Sequence, residues 1–103
     1  MSEYQLLLHG LKANDKSVIE PQLEKADEEF ITDSVKKLPS DTILPLMKVI
    51  QNCILKSKLS HVLSYVIWLK AIIHHHLSYL VFLPGYNEIM ASINNTIKGK
   101  EKN

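Results

Sequence analysis

The side chains best suited to chemistry in this sequence are three consecutive histidines, His74 to His76, and a single cysteine, Cys53. Imidazole and thiolate groups bind zinc, and a cysteine beside a histidine can act as a nucleophile. Neighbouring helical residues point about 100° apart, however, so three histidines in a row cannot converge on one metal ion. Cys53 lies in a strongly apolar segment, which favours a buried and unreactive thiol. The sequence also has no glycine-rich phosphate loop and no Gly-x-Ser-x-Gly turn, so we predict no enzyme, no metal site and no cofactor.

The charge composition weighs against a dedicated nucleic-acid surface. The formal net charge is +1, and all 12 basic residues are lysines. Arginine, which is the preferred residue for bidentate phosphate and guanine contacts, does not occur. A small helical RNA-binding module that uses surface lysines such as Lys56, Lys58 and Lys98 stays the alternative to a protein-binding function. The single cysteine excludes an internal disulfide and suits a reducing compartment.

Apolar residues recur at helical spacing along nearly the whole chain, and only 3 glycines and 4 prolines interrupt them. We therefore predict an all-α domain of five or six short to medium antiparallel helices, arranged as a bundle or a solenoid-like stack. The predicted helices cover Glu3 to Lys12, Ser17 to Lys25, Asp27 to Leu38, Ser40 to Ser57, Ser60 to His76 with an extension to Leu83 left open, and Tyr86 to Ile97. One domain is expected over residues 1–98, with Gly99 ending the last helix and a flexible lysine-rich tail over residues 99–103.

Polar residues and prolines indicate where these helices begin. Asn14 and Asp15 supply a turn and a cap between the first two helices. The further predicted caps are Asp27, Ser40 and Ser60. Pro21 lacks a backbone donor and fits best in a first turn, so the second helix is expected to begin at Ser17 or only near Glu20.

The region from Ile43 to Leu83 carries more large apolar side chains than one stripe per helix can bury. Its last part, from Val62 onward, is not expected to span a membrane, because Lys70 at the middle would cost roughly 3 kcal/mol on insertion scales. Burial around a central helix is one explanation of the excess, and an exposed patch that binds a partner is the other. The residues predicted to form such an interface are Leu44, Leu55, Leu77, Val81 and Phe82.

Two stretches of this sequence, KKLPSDTILPLMKVI and WLKAIIHHHLSYLVFLP, share a pattern with a known family. They resemble the C-terminal helical domain of WD-repeat proteins of the small-subunit processome, the Utp-twelve domain family. The matching residues are Leu38, Pro39, Leu44, Pro45, Leu46, Trp68, Leu69, Lys70, His76, Tyr79 and Leu80. The opening LLLHGLKANDKSVIE is also similar to the family, whereas Pro21, His74 and His75 depart from its pattern.

The resemblance implies a nucleolar protein of ribosome biogenesis that acts in small-subunit rRNA processing. It implies that β-propellers precede this domain, so that the chain is a C-terminal fragment of a longer protein. The implied partners are the equivalent helical domains of sister WD-repeat subunits, with pre-ribosomal RNA contacted only indirectly or weakly and no membrane or small-molecule substrate. The residues expected to be structural are Leu38, Pro39, Leu46, Trp68, Leu69, His76, Tyr79 and Leu80. Within this set, His76 is expected to satisfy the polar group of Trp68 or Tyr79.

Overall fold

The computed structural model of the chain describes residues 1–24 and 27–102. Over these residues it consists of six α-helices without a β-strand. The helices are α1 (Glu3–Ala13), α2 (Lys16–Leu23), α3 (Glu28–Lys37), α4 (Ile43–Lys56), α5 (Val62–Leu80) and α6 (Tyr86–Glu101). Short 3-10 turns at Ser40–Thr42 and Leu59–His61 precede α4 and α5. The predicted all-α class is therefore confirmed. No helix in the described part of the chain is both long and apolar enough to cross a membrane.

The turn between α1 and α2 follows the prediction, but the start of α2 differs from it. Asn14 ends α1 in a left-handed conformation with φ of 53°, and the Asp15 side chain accepts a hydrogen bond from the amide of Ser17. This cap fixes the first turn of α2 at Lys16, so the expected start near Glu20 is wrong. Pro21 instead occupies the second turn, where its exposed ring costs α2 one backbone hydrogen bond. The predicted end of this helix at Lys25 lies outside the described residues.

The starts of α4 and α5 also differ from the prediction, because a 3-10 turn precedes each helix. Ser40 and Ser60 lie within these turns and do not cap an α-helix. In the first turn, the Thr42 amide donates to the Pro39 carbonyl at 3.0 Å, and the Thr42 hydroxyl donates to the same oxygen at 2.7 Å. The Pro39 carbonyl therefore closes the corner without a serine cap.

The ends of the last two helices settle what the sequence left open. The backbone of His76 departs from helical geometry, with φ of −127° and ψ of 15°, yet α5 continues to Leu80. The prediction that Gly99 ends α6 is wrong, because the helix runs on to Glu101. The Lys100 ammonium donates to the carbonyl of Leu55 at 3.2 Å and also to that of Ser57. These contacts hold the last turn of α6 against the end of α4.

Helix α4 lies at the centre of the packing, where it contacts α2, α5 and α6. The pairs α1 with α2 and α3 with α5 complete the bundle. Helices α4 and α6 run parallel, because Gln51 hydrogen-bonds Ser92 while the later residue Ser57 meets the later residue Lys100. The buried residues of α4 are Ile43, Leu46, Met47, Val49, Ile50, Cys53 and Ile54. These buried residues lie on several sides of α4, as its contacts with three other helices require.

Candidate protein-interaction surface

Trp68 lies at the centre of the buried core that joins helices α2, α3 and α5. Its side chain is fully buried, and Phe30 packs edge-on against it with ring centroids 6.1 Å apart. The indole Nε1 donates a hydrogen bond of 3.0 Å to the carbonyl oxygen of Leu23. Leu23 is the last residue of α2, so its carbonyl has no partner within the helix. Trp68 thus caps α2 from α5 and joins these two helices by a polar contact inside the core.

His76 makes an equivalent contact with α3. Its Nε2 lies 2.8 Å from the carbonyl oxygen of Val35. A carbonyl only accepts, so Nε2 carries the proton in this contact. The prediction paired His76 with Trp68 or Tyr79, but Trp68 donates to Leu23 and His76 bonds α3. The irregular backbone at His76 accompanies this contact, which the regular helical spacing used for the prediction could not anticipate.

The other residues that match the family pattern lie mostly in the core. Leu38, Leu46, Leu69 and Leu80 are buried, Tyr79 is half-buried, and Pro39 is exposed at the corner between α3 and α4. A buried leucine side chain contributes about 1.5–3 kcal/mol relative to an exposed one, so the four buried leucines stabilise the fold.

Among the side chains considered for chemistry, the rings of His74 and His75 lie edge-to-face with centroids 4.7 Å apart, and burial is the main cause of the pKa shifts of Cys53 and His75. Cys53 is buried, and burial together with the negative charge of Glu20 raises the pKa of its thiol. Loss of water contact lowers the pKa of His75, and the positive charges of His74 and Lys36 lower it further. Among the described residues, no group of three or more potential metal ligands comes together.

Of the five residues predicted to form a partner interface, four fall into two exposed regions. Leu77, Val81 and Phe82 are exposed at 47%, 55% and 85%, and they form what we call the α5 C-terminal patch. Leu55 is exposed but lies at the other end of α6, where Lys100 reaches its carbonyl. Because α6 has 16 residues, the two regions are separated by about 24 Å along that helix. Leu44 is half-buried in the first turn of α4.

A second apolar feature, which the sequence did not indicate, is a groove of about 220 Å³ between α5 and α6. It exists because α6 packs chiefly against α4 instead of α5. Its apolar lining consists of Val66, Leu69 and Ile73 from α5 and Met90, Ile93 and Ile97 from α6. Lys70 and Asn94 are the polar lining residues of this α5–α6 groove. On α6 only Ile93 is buried, while Met90 and Ile97 are half-buried.

Comparison with known proteins identifies relatives of the chain. The sequence model described as the Dip2/Utp12 Family matches residues 14–103. The human protein WD repeat-containing protein 43 is 34% identical over 79 residues, which are 77% of this chain. The chain spans 12% of the length of that relative. No solved structure matches the chain.

Proposed function

Since the chain belongs to the Dip2/Utp12 family, we propose that it is a protein–protein assembly domain of a ribosome-biogenesis protein. In this proposal it binds the equivalent helical domain of a sister WD-repeat subunit and so helps to hold a small-subunit processome complex together in the nucleolus. The longer protein would act in small-subunit rRNA processing as a scaffold, and this domain would carry out no catalytic step.

The α5 C-terminal patch is the observation that carries this proposal. Phe82 leaves 85% of its surface in water beside two further exposed apolar residues, Leu77 and Val81. Burial of each such side chain contributes about 1.5–3 kcal/mol, so a partner that covers the patch gains considerable free energy. Aromatic side chains are also enriched in protein interfaces relative to the rest of the surface. An apolar cluster at one end of a helical domain therefore supports protein binding more than RNA binding.

The test is the molar mass of the chain in solution by light scattering, alone and mixed with the C-terminal helical domain of a candidate sister protein. The chain has a mass of 11.8 kDa, so a stoichiometric complex is readily distinguished from a mixture of monomers. We expect a complex with at least one sister domain. A chain that stays monomeric with every sister domain, but binds RNA with a steep salt dependence, would contradict the proposal and favour the lysine-based alternative.

Substitutions in the α5 C-terminal patch test whether the complex forms through that patch. Replacing Leu77 and Phe82 by alanine removes apolar surface that is already exposed, so the fold should be unaffected while affinity falls at least tenfold. Leu63→Ala is the matched control, because Leu63 is 68% exposed in the first turn of the same helix. If the patch variant and the control bind the sister domain with equal affinity, the α5 C-terminal patch is not the surface that forms the complex.

A further inference from the structure

We infer that the α5–α6 groove receives a helix of the partner whose apolar stripe is flanked by acidic side chains. The inference rests on the proposed assembly function, and it deepens that function by stating the chemistry of the partner segment. It concerns a surface distinct from the α5 C-terminal patch, since the groove is lined by residues between Val66 and Ile73 and between Met90 and Ile97.

The shape of the groove fits a helix. On each wall the apolar residues follow the spacing of successive helical turns: Val66, Leu69 and Ile73 on α5, and Met90, Ile93 and Ile97 on α6. Rows of side chains one turn apart on two neighbouring helices form the grooves into which a third helix packs. Each row covers seven residue steps, or about 10.5 Å, which corresponds to two turns of a partner helix.

The depth of burial shows that the groove is only partly filled by this chain. Leu69 and Ile93 are 4% and 3% exposed and form its floor. Val66, Ile73 and Met90 are half-buried and form its walls together with Ile97. Side chains from a partner helix can therefore enter between the walls without displacing the core.

The charge around the groove specifies the flanks of the partner helix. Lys70 lines the α5 wall, and Lys98 is exposed one turn beyond Asn94 on the α6 side. Neither lysine forms an ion pair with a carboxylate within residues 1–24 and 27–102. Glu28 shares a cleft with Lys70 on the α3 side of α5, but it does not line the groove.

The part of the chain that carries the groove is also positively charged as a whole. Helix α5 contains no aspartate or glutamate, and residues 39–103 hold seven lysines against three acidic residues. Acidic side chains on both flanks of a docked helix would meet Lys70 and Lys98. A basic helix would instead place like charges together, which disfavours association. Charge complementarity thus selects an acid-flanked helix over a neutral or basic one.

The test uses the chain with two probes. The first is the sister helical domain, and the second is a designed 18-residue helical peptide, roughly five turns long, with leucine at i, i+3, i+4 and i+7 and glutamate on both flanks. A matched peptide has lysine in place of every glutamate. Binding is followed by NMR of the methyl groups of Val66, Ile73, Met90 and Ile97. We expect the glutamate peptide and the sister domain to shift these signals, and the lysine peptide to bind at least tenfold more weakly.

Two charge variants provide an independent measurement. Lys70→Glu combined with Lys98→Glu should weaken binding of the glutamate peptide at least tenfold and reduce its salt dependence. Lys48→Glu combined with Lys58→Glu is the matched control, because both lysines are exposed and neither lines the groove. These four residues lie on the surface, so both variants should fold.

The outcomes separate the inference from the proposed function. If the sister domain binds but leaves the groove methyl groups unchanged, assembly stands and the inference is wrong. If no sister domain binds while the glutamate peptide still occupies the groove, the assembly function fails and the groove chemistry stands. Equal binding of both peptides, or NMR shifts confined to Leu77 and Val81, overturns the inference. Self-association through the groove also overturns it, because a second copy of the chain would then be the occupant.

Discussion

Trp68→Ala should be among the most destabilising substitutions in this chain. The side chain is fully buried, and replacing a buried tryptophan by alanine typically costs about 3–5 kcal/mol. Part of this cost has a specific origin, because the Leu23 carbonyl loses its indole donor at the end of α2. A buried carbonyl left without a partner costs about 1–3 kcal/mol. Since total stabilities of natural domains are about 5–15 kcal/mol, the variant is expected to be marginal or unfolded.

Trp68→Phe separates the two contributions. Phenylalanine keeps an aromatic ring against Phe30 but cannot donate to Leu23, so its free energy of unfolding should fall between those of the wild type and Trp68→Ala. Urea denaturation followed by far-ultraviolet circular dichroism measures all three proteins, since both variants lack the only tryptophan. Leu63→Ala, at an exposed position of the same helix, should stay within about 0.5 kcal/mol of the wild type. A loss below about 1 kcal/mol for Trp68→Ala would refute the assignment of Trp68 as the residue that joins α2 to α5.

Three further predictions concern packing, pH and reactivity. Gly10→Ala should destabilise by about 1–3 kcal/mol, because the new methyl would lie 3.0 Å from Ile19 Cγ1. Gly99→Ala should stabilise by about 0.5–1 kcal/mol, because within residues 1–24 and 27–102 no atom beyond its chain neighbours and its own turn of helix lies within 4 Å of the new methyl. Urea denaturation compares the two variants, and equal gains in stability would contradict the close packing at Gly10. The hydrogen bond from the Ser17 side chain lowers the pKa of Asp15 from 3.8, so its contribution to stability is full above that value and is lost as the pH falls through the lowered pKa. Acid titration should therefore show a shallower loss of stability in Asp15→Asn than in the wild type, and parallel curves would exclude the cap as the cause. Cys53 should react with a thiol reagent at neutral pH only upon unfolding, as measured by labelling across a urea series, and rapid labelling of the native chain would contradict its burial.

The local signals in the sequence were reliable where they act through neighbouring residues. Asn14 and Asp15 ended one helix and began the next as predicted, since a left-handed residue and an aspartate cap need only a few backbone atoms around them. Pro21 shows the limit of such signals. The cap at Asp15 determined the start of α2, and the proline was accommodated one turn later on the exposed side.

Serine caps and glycine ends failed where other contacts satisfied the same backbone groups. At the corner after α3, the Pro39 carbonyl accepts two hydrogen bonds from Thr42, so a capping role for Ser40 is not required. At the end of α6, Lys100 binds carbonyls of residues more than forty positions earlier, which extends the helix beyond Gly99. The pattern of nearby residues contains no information about partners so distant in sequence.

The sequence by itself determined the class of the fold, limited the number of helices to five or six and indicated most of the core, because helical periodicity and burial of apolar stripes depend on residue type and spacing. It also predicted four of the exposed apolar residues, including Phe82. Only the tertiary structure decided that Trp68 and His76 contact backbone carbonyls on α2 and α3. It alone decided that α6 packs against α4 and leaves an apolar groove beside α5. The physical reason is that an apolar stripe requires burial without specifying which neighbour provides it, whereas the relative placement of whole helices determines where surface is left uncovered.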